Sequence, residues 1–560
     1  MFRGRIAVLS MALAGLLSAA VPAFASARIA YVTGGSGSGT YAVPVDVGTQ
    51  ISGAQVPMPG GEGSPPDVAI TPNGSTAYVT SGFGSVIPIS VSTNTAGTPI
   101  SLGNSTWAIA ITPDGKSAYV TDRFSGSVSK IDLASGTVVG APITVGNEPT
   151  AIAITPVGKS AYVTNQADDT VSVINLASGT VGAPITVGDG PSSVSITPDG
   201  ARVYVLNSLA GTLSRINPAT NTVVATIASV PGETLVISPS GSRAYALRTF
   251  PTSGITPVDL ATDTAAAQVP IANFPEDLAI LPDGSYAFLT VEGTGKLGPF
   301  NLTSNTLGTE FAIGSNPNAI AIVPNQPPHA AFTSTSPAPK PSAAIAFDAS
   351  GSTDPDGTVA RYDWNFGDGA VAQNAGAKPS HAYAKAGTYQ VTVTETDNEG
   401  CSTALVFTGQ TAYCNGSSVA QATHPVTVLG SCPKVEGTAS SFVPKLVSHQ
   451  VVPGVRVRLA VNAPAHLEVK ATLLWSKEGE NGRANLGKFS VDVNHWRRLR
   501  MPIPDKLVTQ LPLGTPVKVS LHIHATPLDS SFCAGNNTHP TLRVHVVKVI
   551  PDAVQSKRPR

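Results

Sequence analysis

Residues 111–121 read ITPDGKSAYVT, and near copies of that phrase begin at Ile70, Ile154, Ile196, Ile237 and Ile280. Successive copies start 41, 43, 42, 41 and 43 residues apart, and a partial copy, AIAIVP, places Ile322 a further 42 residues on. A period near 42 residues with strand-like content predicts a ring or stack of β units. Residues 107–146 parse into four strands, WAIAIT, SAYVT, SVSKID and VVGAPITVG, joined by the turns PDGK and LASGT and a loop. In the first turn Pro presets φ and Gly accepts a left-handed conformation. The strands are apolar on both faces, as in a sheet sandwiched between two others. Residues 29–33 (IAYVT) form a second strand with no first strand before it, and residues 319–323 (AIAIV) a first strand with no second after it. Joined, they complete seven four-stranded blades and remove the open edges of the array. The phrase itself builds the ring, so a ligand is to be sought where the repeats disagree.

The run Tyr162-Val163-Thr164-Asn165 resembles the signature of the YVTN-type β-propeller family over about residues 28–325. The resemblance implies the propeller fold and a microbial surface or secreted setting. Further on, Phe347-Asp348-Ala349-Ser350-Gly351-Ser352, the Trp364 strand, Phe366-Gly367-Asp368-Gly369 and His381 with Gly387-Thr388-Tyr389 closely resemble a PKD domain, an immunoglobulin-like module of extracellular proteins. Beyond Cys432, VRVRLAV, HLEVKATLLW, VKVSLHIHA and LRVHVVKV alternate with a period of two, which predicts another antiparallel sandwich. The expected fold class is therefore all-β, a seven-bladed β-propeller followed by two β-sandwich domains. Its expected segments are 1–25, 26–327, 328–431 and 432–560.

The first segment reads as a secretory signal peptide: Arg3 and Arg5, an apolar stretch from Ile6 to Ala20, then Ala23-Phe24-Ala25. No second long apolar run follows, so no transmembrane helix is expected. All four cysteines, Cys401, Cys414, Cys432 and Cys533, lie in the last third, and an even count in an exported chain favours disulfides. Three pairings are possible; Cys401–Cys414 with Cys432–Cys533 is favoured because the first pair flanks one strand–loop–strand stretch.

Charge is polarised along the chain. Residues 26–327 hold 10 basic and 19 acidic groups, residues 328–431 hold 4 and 8, and residues 432–560 hold 18 and 8. All ten histidines lie from His329 onward, so a histidine-based lyase or metal site in the propeller has no ligands. Carboxylates remain. Connectors into the first strands carry Glu62, Asp67, Glu148, Asp189, Glu233, Glu276 and Asp277, and loops after the second strands add Asp122, Asp168, Asp169 and Glu292. They are either an acidic channel mouth that meets a cation or a basic partner, or turn and capping carboxylates in solvent. No cofactor is required. Asp348, Asp354 and Asp356 are candidate calcium ligands, with Asx turns as the other use of the same residues. His522, His524 and His545 are a weaker candidate metal group.

The leader, the resemblance to surface and secreted propellers and the lack of histidine and cysteine in the propeller lead to the expectation of an exported or surface interaction protein, not an enzyme, whose propeller is a recognition head for an extracellular protein or carbohydrate. The basic C-terminal domain would meet anionic cell-wall polymer, and nucleic acid is not expected as a partner. The alternatives are a lactonase-like or other carboxylate- or metal-dependent propeller hydrolase, since some related seven-bladed propellers are lactonases or lyases, and a structural surface-layer component.

Overall fold

The computed structural model describes residues 28–36, 39–59, 66–103, 105–334 and 341–429, together with the backbone of seven further strands between Val435 and Val546. The expected signal peptide, Glu62, the Cys432–Cys533 pair and the side chains of His522, His524 and His545 lie outside the described residues. Two compact units result. One holds the residues up to Ala330 with Ser352–Arg361 and Thr394–Gln421; the other holds Ala331–Gly351, Tyr362–Val393 and the residues from Ala422.

Seven antiparallel sheets of four or five strands make up most of the first unit. Six are consecutive in sequence. The seventh is assembled from both ends of the repeat: Ile29–Ser36 pairs with Gly39–Asp46 on one side and with Pro317–Ile322 on the other, Val32 lying opposite Ile320. The innermost strands are Val68–Ile70, Ile109–Ile111, Pro149–Ile154, Pro191–Ile196, Thr234–Ile237, Pro275–Ile280 and Pro317–Ile322. Each packs beside the next and the last packs beside the first, so the ring closes. The seven-bladed propeller expected from the spacing is the structure observed.

The repeated aromatic residue holds blade to blade. Tyr31, Tyr78, Tyr119, Tyr162, Tyr204, Tyr245 and Phe288 are all buried. Tyr162 packs with Ala151, Val173, Val194, Ile196 and Val205, which come from its own blade and the following one. Its hydroxyl donates to Asn221 Oδ1 at 2.7 Å, Tyr204 donates to Asp263 Oδ1 at 3.2 Å, and Tyr31 bonds to Asn94 Oδ1. Each acceptor sits in an outer turn of the next blade at a φ of +52° or +53°, a left-handed position that Asn and Asp tolerate. One side chain thus fills the seam between two sheets and ties the following blade's rim. The buried asparagine of the YVTN run stitches within its own blade: Asn165 Nδ2 donates to Thr170 Oγ1 and Ser172 Oγ, both at 3.0 Å, and its Oδ1 accepts from Gly146 N–H.

In the second unit, Thr333–Ser334, Ala344–Asp348 and Ser380–Ala382 form one sheet. Phe332, Phe347, Trp364 and Phe366 cluster as its aromatic core, with Trp364 buried and its Nε1–H donating to the Gly376 carbonyl at 3.1 Å. Beyond Val435 the backbone forms two antiparallel sheets, one of three strands and one of four. His522 pairs with Lys470 and Arg543 in the larger of them.

Replacing Tyr162 by Ala should destabilise the propeller by about 3–5 kcal/mol through the cavity left at the seam. Tyr162→Phe should cost only about 1 kcal/mol for the lost hydroxyl bond. Urea melts of the two variants give the comparison; equal losses would mean that the seam is not held by the ring's volume.

Candidate functional site

Counting back from the isoleucine that opens each phrase gives the residues around the channel. Four positions before it stand Pro66, Trp107, Thr150, Ser192, Glu233, Glu276 and Asn318, one per blade. Three positions before it stand Asp67, Ala108, Ala151, Ser193, Thr234, Asp277 and Ala319. All fourteen line one cavity of about 550 Å³, within the size range of small-molecule sites.

In an even strand, adjacent side chains leave opposite faces. Here the register shifts between Pro149 and Ala151, between Pro191 and Ser193, between Pro275 and Leu278, and at the equivalent place in the closing blade. Such bulges re-aim side chains and free a backbone donor. The freed donor is caught by the threonine of the phrase: Asp277 N–H donates to Thr290 Oγ1 at 2.9 Å and Ala151 N–H to Thr164 Oγ1 at 2.9 Å. Asp67, Ala108 and Ala319 make the same bond to Thr80, Thr121 and Thr33. The repeated threonine therefore sets the strand entrance that presents Glu276 and Asp277 together.

Three of these residues also latch neighbouring blades. Asp67 Oδ2 accepts from Ile109 N–H at 2.9 Å, Asp277 Oδ2 from Ile320 N–H at 2.9 Å, and Ser193 Oγ from Leu235 N–H at 3.1 Å. Burial pushes the Asp67 carboxyl up to about 8 and that of Asp277 up to about 7, against the two N–H bonds each accepts; repulsion from Asp277 adds to the rise at Asp67. Burial also raises Glu276 to about 7, helped by the neighbouring Glu292 and by the charges of Glu233 and Asp277. Glu233 is also raised by burial, while Thr249 N–H donates to its Oε2 at 2.8 Å and Arg248 favours its ionised form. Two carboxyls on neighbouring blades thus face one cavity, both with proton affinities raised by burial.

The other connector carboxylates are placed elsewhere. Glu148 is exposed and pairs with Arg123 at 3.0 Å. Asp168 accepts from Asn147 N–H and Nδ2, Asp169 accepts from Gly190 N–H, and Asp189 is exposed; none lines the cavity. Their signal, acidity in a loop, does not distinguish a turn from a channel wall. Arg123, which does line the cavity, was not anticipated. It lies 4.8 Å above the Trp107 ring and donates to both Glu148 and Gln166. Exposed Phe83, Phe124, Leu209 and Phe250, each three residues past the end of its phrase, follow in the next loops, and Phe250 lines the cavity.

Of the proposed calcium ligands, Asp348 accepts from Ser350 and pairs with Lys378 at 2.9 Å. Asp356 pairs with the buried Arg28 at 2.8 Å, and burial raises Asp354 to about 6. Among the described residues, no group of three His, Cys, Asp or Glu side chains has metal-holding geometry, and no helix is long and apolar enough to cross a membrane.

Three family descriptions match parts of the chain: a PKD domain over residues 325–411, a YNCE-like β-propeller over 151–243, and a seven-bladed β-propeller lactonase over 89–183. A microbial collagenase of Vibrio alginolyticus is 36% identical over 87 residues, which are 16% of this chain and 10% of that protein. The chain thus spans about a tenth of that relative. A periplasmic gluconolactonase of Pseudomonas aeruginosa is 16% identical, covering 53% of this chain and 99% of its own, with a TM-score of 0.46. A putative 6-phosphogluconolactonase of Bacteroides uniformis gives 17%, 53%, 99% and 0.45. The lactonase match overturns the expectation that this chain is not an enzyme. That expectation rested on a propeller without histidine or cysteine, and both are dispensable where carboxyls can carry the proton. The PKD and collagenase matches suit extracellular domains.

Two results are expected from this geometry. Thr290→Val, which strands the Asp277 donor, should cost about 1–3 kcal/mol in thermal or urea melts. For Glu276, the folded state keeps a proton between about pH 4.5 and about 7 that the unfolded chain has released. Its contribution to stability therefore falls as pH rises through that window and stays lost above it. Glu276→Gln should raise the melting temperature at pH 8 and leave it nearly unchanged at pH 4; equal shifts at both would contradict the assignment.

Proposed function

We propose that this chain is an exported hydrolase of lactones or closely related cyclic esters, and that the ring is opened in the propeller cavity. The observation that carries the reading is the pair Glu233 and Glu276, on adjacent blades and facing the same space. The lactonase match supports it. Exposed Phe250 and the Arg123–Trp107 pair at the rim suit a polyhydroxylated ring, whose C–H faces stack on aromatics and whose oxygens accept from guanidinium.

The chemistry follows from the placement of the two carboxyls in one cavity. Glu233, ionised and oriented by Thr249 N–H, takes a proton from water as the water oxygen bonds to the lactone carbonyl carbon. Ser193 Oγ already accepts from Leu235, which leaves its own proton for the developing oxyanion. Glu276, whose proton burial holds until about pH 7, gives a proton to the ring oxygen as the acyl C–O bond breaks. The product is the open hydroxy acid. Glu233 then holds the extra proton that Glu276 lacks, and exchange through solvent restores both.

The test is proton release by the full chain from a panel of γ- and δ-lactones that includes D-glucono-1,5-lactone. kcat/KM should rise as Glu233 ionises and fall above about pH 7 as Glu276 loses its proton. Glu276→Gln should lower kcat by roughly 10²–10⁴-fold and abolish the alkaline fall. No hydrolysis of any lactone above the buffer rate, or an unchanged Glu276→Gln variant, would refute the reading.

A further inference from the structure

The innermost strand of each blade is an edge strand, so part of its backbone faces the channel with no ladder partner. At the end opposite the carboxylates, those groups are met by a segment far along the chain. Ile196 N–H donates to the Thr408 carbonyl at 2.9 Å, Ile154 N–H to Gly409 at 2.8 Å, Ile111 N–H to Gln410 at 3.4 Å and Ile70 N–H to Thr411 Oγ1 at 3.4 Å. Four consecutive residues therefore step across four consecutive blades, each bonded to the isoleucine that opens the repeated phrase. Tyr413 Oη donates to the Ile237 carbonyl at 2.7 Å, and Asn325 N–H donates to the Tyr413 carbonyl at 2.9 Å. Phe407 and Ala412 are buried among Ala108, Ala110, Ile152 and Ile154. Gly409 has a φ of +126°, and a Cβ there would lie 2.6 Å from Ala153 Cβ, so glycine is required for the close approach. The Cys401–Cys414 disulfide closes the base of the segment, and all of it belongs to the propeller's own compact unit. Thr408, Gln410, Thr411, Ala412 and Tyr413 line the same cavity as Glu233 and Glu276.

We propose that residues 401–414 are a fitted floor, which turns the propeller channel into a pocket with a single mouth at the carboxylate ring. Whatever binds must enter and leave by that mouth. A polymer cannot thread through, so the ligand is a small polar molecule or the terminal unit of a chain, inserted end-on. Gln410, with both an amide donor and a carbonyl acceptor, sets the depth of the pocket and contacts the hydroxyls at the buried end of the ligand. That the ligand is a substrate rests on the hydrolase reading; the closed floor does not.

The two are separable by experiment on the full chain. A thiol placed on the floor, Gln410→Cys, should react with methyl methanethiosulfonate. A 5 kDa polyethylene glycol maleimide should label it at least ~100-fold more slowly than an exposed reference thiol, Ser135→Cys, with labelling of the unchanged chain subtracted in each case. Thr408→Cys offers the same reading should the first variant not fold. Labelling by the large reagent at the reference rate would overturn the closed floor, and failure of the small reagent to label either position would overturn their place in the pocket. For the ligand's orientation, Gln410→Trp should lower kcat/KM for D-glucono-1,5-lactone at least ~10-fold more than for the unsubstituted δ-valerolactone. An equal loss on both would remove Gln410 as the residue that reads the buried end. If the unchanged chain hydrolyses no lactone of the panel, the hydrolase reading fails while the thiol labelling still decides the floor.

Discussion

Everything in the propeller depends on one set of backbone hydrogen bonds, those between Ile29–Ser36 and Pro317–Ile322. They join strands almost three hundred residues apart and convert six consecutive sheets into a closed ring of seven. An open array would carry two unpaired edges and have no fixed radius. Once the ring is closed, each innermost strand is held at the same distance from one axis. A residue at a fixed place in the repeat then recurs around a circle, and a ring of side chains becomes possible that no single blade could make.

The mouth of the channel uses that circle. The bulge at the start of the inner strand aims two adjacent residues at the cavity, and the threonine of the repeated phrase accepts the donor that the bulge sets free. Where those residues are Asp67 or Asp277, the same carboxylate walls the cavity and ties the next blade, so structure and site share an atom set. Burial raises the proton affinities of both Glu233 and Glu276, and the charge of Glu233 adds to the rise at Glu276, so the cavity holds two perturbed carboxyls without a histidine.

Much of this was legible in the residues. The 42-residue period, the split closing blade, the buried Trp364 and the Cys401–Cys414 pair all follow from patterns within a few dozen residues. Acidity in the connectors and loops pointed to Glu233, Glu276 and Asp277, but equally to Glu148, Asp168, Asp169 and Asp189, which the structure uses in turns and in one ion pair. The better guide is positional. Counting back from the phrase's isoleucine separates the two sets, because the residues at the bulge face the channel in every blade. The absence of histidine was read as the absence of catalysis; it bears only on which groups carry the proton.

The sequence by itself determined the all-β class, the number of blades and the phrase that packs them, because each is written in local periodicity and turn chemistry. Tertiary structure alone decided which carboxylates meet, what their proton affinities become and where the channel ends. Those depend on burial and on contacts between distant segments. The step of Thr408, Gly409, Gln410 and Thr411 across Ile196, Ile154, Ile111 and Ile70 is the clearest case. It matches backbone donors to backbone acceptors and one hydroxyl, and backbone groups leave no mark in the order of side chains.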